Sequence, residues 1–107
     1  MATSKEFVDF IVGQLSELNE IAVRSMMGEY IVYYKGKIAA YICDNKLLIK
    51  PVPKAFELMP DAPLVPPYAG AKEMLLLKDV ENKEFITELF AAIYGELPEL
   101  AKKKKKK

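Results

Sequence analysis

A chain of 107 residues, half of them hydrophobic, is long enough to bury one core without disulfide or metal staples. No apolar run approaches a membrane span, and the opening Met1-Ala2-Thr3-Ser4-Lys5-Glu6 lacks the charged-then-apolar order of a signal peptide, so a cytoplasmic protein is expected. The net charge of +1 hides an asymmetry: six of sixteen basic residues are Lys102 to Lys107, leaving a body near −5 that disfavours nucleic acid gripped across the folded surface.

In chain order, Thr3-Ser4-Lys5-Glu6 reads as a capping box with Thr3 as the cap. Phe7, Phe10, Ile11, Leu15 and Leu18 recur at helical spacing, predicting an amphipathic helix of about four turns. Gly13 weakens it by roughly 1 kcal/mol relative to Ala. Residues Asn19 to Ala22 then connect to a three-stranded meander, Glu29–Tyr34, Lys37–Cys43 and Lys46–Lys50, divided by the turn pairs Lys35-Gly36 and Asp44-Asn45.

Two-residue turns would oppose Tyr33 to Ile38, Ile31 to Ala40, Ile42 to Leu47 and Ala40 to Ile49, all on one face packed under helices. The other face would carry Tyr30, Val32, Tyr34, Lys37, Tyr41, Cys43, Lys46, Leu48 and Lys50. Such a turn needs positive φ at Lys35, which is costly for lysine. A three-residue turn with Gly36 left-handed is the alternative. It would flip the first strand, sending Tyr30 and Val32 inward and Ile31 and Tyr33 outward, without altering the other two.

Beyond Pro51, Lys54 to Met59 form a short helix closed by Pro60, and the three prolines between Pro60 and Gly70 restrict that stretch to an edge strand or extended loop. Met74 to Leu77 is a short buried strand. Asp79 or Asn82 caps a last helix whose apolar face is Phe85, Ile86, Leu89, Phe90 and Ile93, ending at Gly95. The expected fold is α+β, in the order α-β-β-β-α-β(β)-α, an antiparallel sheet with helices mainly on one face. One domain spans residues 1–98, and residues 99–107 form a disordered lysine-rich tail.

Catalytic chemistry finds little footing. The absence of histidine removes His-based triads and His metal sites, and the five glycines form no phosphate loop. Cys43 reads as a structural thiol of a reducing compartment, and pairs such as Glu17/Glu20 and Glu84/Glu88 as solvated helix faces. No enzyme, cofactor or metal is therefore expected. Arg24 either contacts an anionic partner or pairs with a carboxylate of the body, with Gly28 supplying a bend.

Tyr41, with Tyr30 and Tyr34 or with Tyr33, would make an aromatic sheet face flanked by Lys37, Lys46 and Lys50. That face suits stacked bases, a homodimer or a protein partner, and the acidic body favours protein. Lys102, Lys103, Lys104, Lys105, Lys106 and Lys107 either solubilise the chain or tether it non-specifically to nucleic acid. Six phosphate contacts would give a log–log salt slope of about −5.

Arg24-x-Met26-Met27-Gly28, a Tyr-rich strand, a Gly turn, a second apolar strand and a closing Leu47-x-Ile49-Lys50 resemble the TfoX (Sxy) N-terminal domain family. That family's block runs Arg-x-Met-Phe-Gly-Gly, so Met27 stands for the Phe and Glu29 for the second Gly, while Lys35-Gly36 and Asp44-Asn45 replace its Asp-Gly turns. The resemblance implies a secretion-chaperone-like α+β domain of a bacterial competence regulator that cooperates with a transcription factor. It supplies no catalytic residues. The helical second domain of longer members has no counterpart here, where only the lysine tail follows.

Overall fold

The computed structural model describes residues 3–26, 29–67 and 70–97; Met27, Gly28 and the lysine tail fall outside them. The described elements are α1 (Lys5–Gln14), β1 (Ile21–Met26), β2 (Glu29–Tyr34), β3 (Lys37–Cys43), β4 (Lys46–Ile49), α2 (Pro53–Leu58), β5 (Leu64–Val65), β6 (Met74–Leu77) and α3 (Lys83–Ile93), followed by a 3-10 turn at Tyr94–Glu96. The strands form a six-stranded sheet in the order β1-β2-β3-β4-β6-β5, every neighbouring pair antiparallel. The α+β expectation is met, with one strand more than the meander predicted: β1 begins inside the stretch read as a connection.

All three helices cover one face of the sheet. Val8 and Ile11 of α1, Ala55 of α2 and Ile86, Leu89, Phe90 and Ile93 of α3 join Val32, Ala40, Ile42, Leu47, Ile49 and Leu75 in one buried cluster. Each large aliphatic buried there contributes roughly 1.5–3 kcal/mol.

Side-chain hydrogen bonds fix the helices to the sheet and to each other. The cap of α1 is Ser4, not Thr3: Ser4 Oγ accepts from Phe7 N at 3.1 Å. Thr3 is buried instead against the β3–β4 turn, where its Oγ1 accepts from Asn45 N at 3.3 Å while Ser4 N donates to Asn45 Oδ1 at 2.9 Å. The helix stops at Gln14, shorter than four turns, and Phe10 is exposed where the helical spacing had placed it inward. Gln14 Nε2 donates to Val80 O at 2.8 Å and Lys83 Nζ to Ser16 Oγ at 2.8 Å, linking α1 to the start of α3. Asn82 caps α3, its Oδ1 accepting from Phe85 N. Val52 offers α2 no side-chain cap; Glu96 supplies one from afar, its Oε1 accepting from Lys54 N at 2.7 Å.

The register of the first hairpin combines both readings of its turn. The turn has two residues, Lys35 at φ 52° and Gly36 at φ 85°, which matches the right-handed twist of the strands. Tyr34 pairs with Lys37 and Tyr33 with Ile38, as two-residue turns require. The register then shifts: Val32 pairs with Ala40, Ile31 with Tyr41 and Tyr30 with Ile42, leaving Ala39 as an inserted residue. Ala39 and Ala40 are both fully buried on the helix side. Val32 therefore enters the core as the longer turn would have required, but by a bulge. Ile38, expected in the core, pairs with Tyr33 on the opposite face and is only half-buried. The second strand thus does not keep the single assignment expected of it.

The strain at Lys35 has local compensation. Its ammonium lies 5.3 Å from the ring centroids of both Tyr34 and Tyr94, and that of Lys37 lies 4.5 Å from Tyr94. Contacts of this kind contribute roughly 0.5–1 kcal/mol each at exposed sites. The second turn, Asp44 at φ 52° and Asn45 at φ 56°, uses the two non-glycine residue types that tolerate this conformation best.

Candidate functional site

Alternation along the strands gives the face away from the helices its content. Arg24, Ile31, Tyr33, Ile38, Tyr41, Cys43, Leu48 and Leu76 all lie on it, because their neighbours point into the main core. A second, smaller cluster forms at its centre: Cys43, Leu48 and Met74 are buried, with Tyr41, Val65 and Leu76 packed around them. Among the described residues no helix lies on this face.

The proline-rich segment folds over one part of it. Tyr41, Lys50, Pro67, Lys72 and Met74 help to line a shallow cavity of about 230 Å³. Pro67 is buried, and Lys50 is half-buried, joined through its backbone N–H to Ala39 O at 3.1 Å. Burial, and then the neighbouring Lys72 ammonium, hold the Lys50 amine below the usual lysine range. The cavity therefore places two lysines and the Glu73 carboxylate beside an aromatic ring in a partly apolar wall.

Cys43 is chemically quiet. Its thiol is pushed up to about 11 by burial first and the Glu29 carboxylate second; Asp44 adds to this, while Lys46 opposes it. A thiol neutral at physiological pH is a poor nucleophile, consistent with a packing role. Lys46 Nζ reaches Asp44 Oδ2 at 3.1 Å, and that hydrogen bond holds the exposed Asp44 carboxyl below its ordinary range.

The expected aromatic surface is redistributed. Tyr34 is buried, its ring 6.4 Å from Phe90 and 5.3 Å from Tyr94, so it belongs to the core beneath α3. Tyr30 also packs against the main core, and Lys37 lies on the helix side over Tyr94. These three are corrected from the partner surface. Arg24, Tyr41, Lys46 and Lys50 remain on the open face, joined by Tyr33 and Ile38. The lysines 102–107 lie outside the described residues. Sequence alternation alone missed Ile38 because two consecutive alanines, Ala39-Ala40, carry no signature of the bulge between it and the rest of β3.

Among the described residues no helix is long and apolar enough to cross a membrane, and no group of three or more carboxylate or thiol side chains is placed to hold a metal ion. No protein-family model and no solved structure matches the chain. One relative is 34% identical over 80 residues, covering 75% of this chain and 70% of its own: the "uncharacterized 12.7 kDa protein in trpE 5′ region" of Spirochaeta aurantia. At that identity and coverage, the chain belongs to the family of this Spirochaeta aurantia protein.

Proposed function

We propose that the chain is a small cytoplasmic regulatory or adaptor domain of the TfoX N-terminal kind, acting through protein contacts on the open face of its sheet. One observation carries the reading. The face opposite the helices exposes Tyr33, Ile38 and Tyr41 in part, and these half-buried groups adjoin the cations Arg24, Lys46 and Lys50. Aromatic and aliphatic anchors edged by arginine and lysine are what a protein interface uses, the apolar centre supplying affinity and the charged rim orientation. The acidic body supports a protein partner over nucleic acid. A transcription factor is the partner class that the family resemblance implies, and competence regulation is the corresponding process.

The test is capture from the host by the full chain and by a Tyr33→Ala/Ile38→Ser double variant whose unfolding midpoint is first shown to lie near that of wild type. A transcription factor bound by wild type and released at least about tenfold by the variant supports the reading. Equal retention by the folded variant would remove the open face from it.

A further inference from the structure

β1 ends the sheet on one side, and its ladder leaves half of its backbone groups facing outward. Glu20 O accepts from Lys35 N at 2.9 Å, which sets the direction of every group along the strand. Antiparallel pairs alternate, so Ala22, Arg24 and Met26 exchange their N–H and C=O groups with Tyr33, Ile31 and Glu29. Those of Ile21, Val23 and Ser25 point away from the sheet. Among the described residues no strand pairs with that edge.

Exposed strand edges normally carry protection. β5, at the far side, has it: two residues long and followed directly by Pro66-Pro67. β1 carries only one such device, the charge of Arg24. It is six residues long, contains neither proline nor lysine, and runs against β2 in an unbroken register.

We infer that β1 is a dimerisation strand, pairing antiparallel with β1 of a second copy about a two-fold axis at Val23, so that the two sheets join edge to edge. Hydrogen bonds form only where outward residues oppose outward residues, which leaves three axes near the strand centre. An axis at Arg24 sets the two guanidinium groups directly opposite on one face, a destabilising like-charge pair. An axis at Ala22 engages only Ile21 and Val23 of each copy. The axis at Val23 opposes Val23 to its counterpart and Ile21 to Ser25 of the second copy, engaging all three outward residues and making about six hydrogen bonds. It also sets Arg24 opposite Ala22 of the second copy, keeping the guanidinium groups apart.

Side chains favour the same register. Ile21 and Val23 point to the helix side, where both are half-buried at the margin of the main core. Pairing at Val23 brings these margins together and removes their remaining apolar surface from water. The open faces of the two copies then form one continuous surface, so this inference stands independently of which partner that surface takes.

Sedimentation of the full chain over a range of concentrations, with residue-resolved amide exchange on the same samples, tests it. A dimer is expected in which the Val23 and Ser25 amides gain at least about tenfold protection with concentration, while those of Ala22 and Arg24 are protected throughout. Ser25→Pro removes an outward donor without touching the β1–β2 ladder, and is expected to weaken association about tenfold or more. Should that variant fail to fold, the wild-type amide pattern decides alone. A chain that stays monomeric, or a dimer whose Val23 and Ser25 amides exchange as freely as in the monomer, overturns the inference.

Discussion

Ile38 and Ile42 are the same residue type in the same strand, separated by an even number of positions, and they lie on opposite faces of the sheet. Ile42 is fully buried beneath the helices opposite Leu47; Ile38 stands half-exposed beside Tyr33. Simple alternation would put both on one face. One extra residue, Ala39, separates them. The bulge lets a single strand contribute to a dense core at one end and to an open aromatic patch at the other, and it marks where the covered and open faces divide.

If that division is right, substitutions on the two faces should differ sharply. Phe90→Ala empties the centre of the covered face, where Phe90 is fully buried and touches Tyr34, and is expected to cost about 3–5 kcal/mol in denaturant unfolding. Tyr33→Ala on the open face should cost about 1 kcal/mol or less. Similar losses from both would mean that the open face is core.

The clasp between the β3–β4 turn and the start of α1 comes next in size. Asn45→Ala deletes the acceptor for Ser4 N and places alanine at φ 56°, so a loss of about 1–3 kcal/mol is expected. Thr3→Ala removes only an acceptor and should cost less, about 1 kcal/mol. A larger loss from Thr3→Ala than from Asn45→Ala would place the clasp's main contribution elsewhere.

Cys43 gives the smallest effect, a change with pH. Its folded pKa of about 11 lies above the ordinary thiol value of 9.0. Between those values the unfolded chain binds fewer protons than the folded one, so this thiol's contribution is full below 9 and is lost as pH rises towards 11. Lys50, whose pKa is lowered, acts in the opposite sense towards the upper end of the same window. Comparison with Cys43→Ala isolates the thiol: the stability of wild type relative to the variant should fall from pH 8 to pH 11. A constant difference would show that the thiol is not held neutral by burial.

Much of this was legible in the residues. The bounds of β2 and β3 follow from β-branched and aromatic runs set between turn pairs, those of β6 from a short Met-Leu run after Gly70, and Asn82 is one of the two caps that the residues offer α3. β1 was hidden because its helix-side residues, Ile21, Val23 and Ser25, form a short, half-polar alternation with no turn signal before it. The cost of positive φ at Lys35 leaves two turns open in the sequence, because propensity says nothing of the two aromatic rings against which its ammonium rests. Tyr34 looked like a surface phenol, since only the tertiary packing of Phe90 and Tyr94 shows where its ring goes. Of the expected partner surface, Arg24, Tyr41, Lys46 and Lys50 hold their place on the open face, and Ile38 is the member that alternation could not supply.

The most direct measurement is the paired unfolding of Ile38→Ala and Ile42→Ala under identical conditions. The bulge predicts a loss of about 2–5 kcal/mol for Ile42→Ala and about 1 kcal/mol or less for Ile38→Ala. Equal losses would contradict it, and with it the placement of Ile38 on the open face rather than in the core.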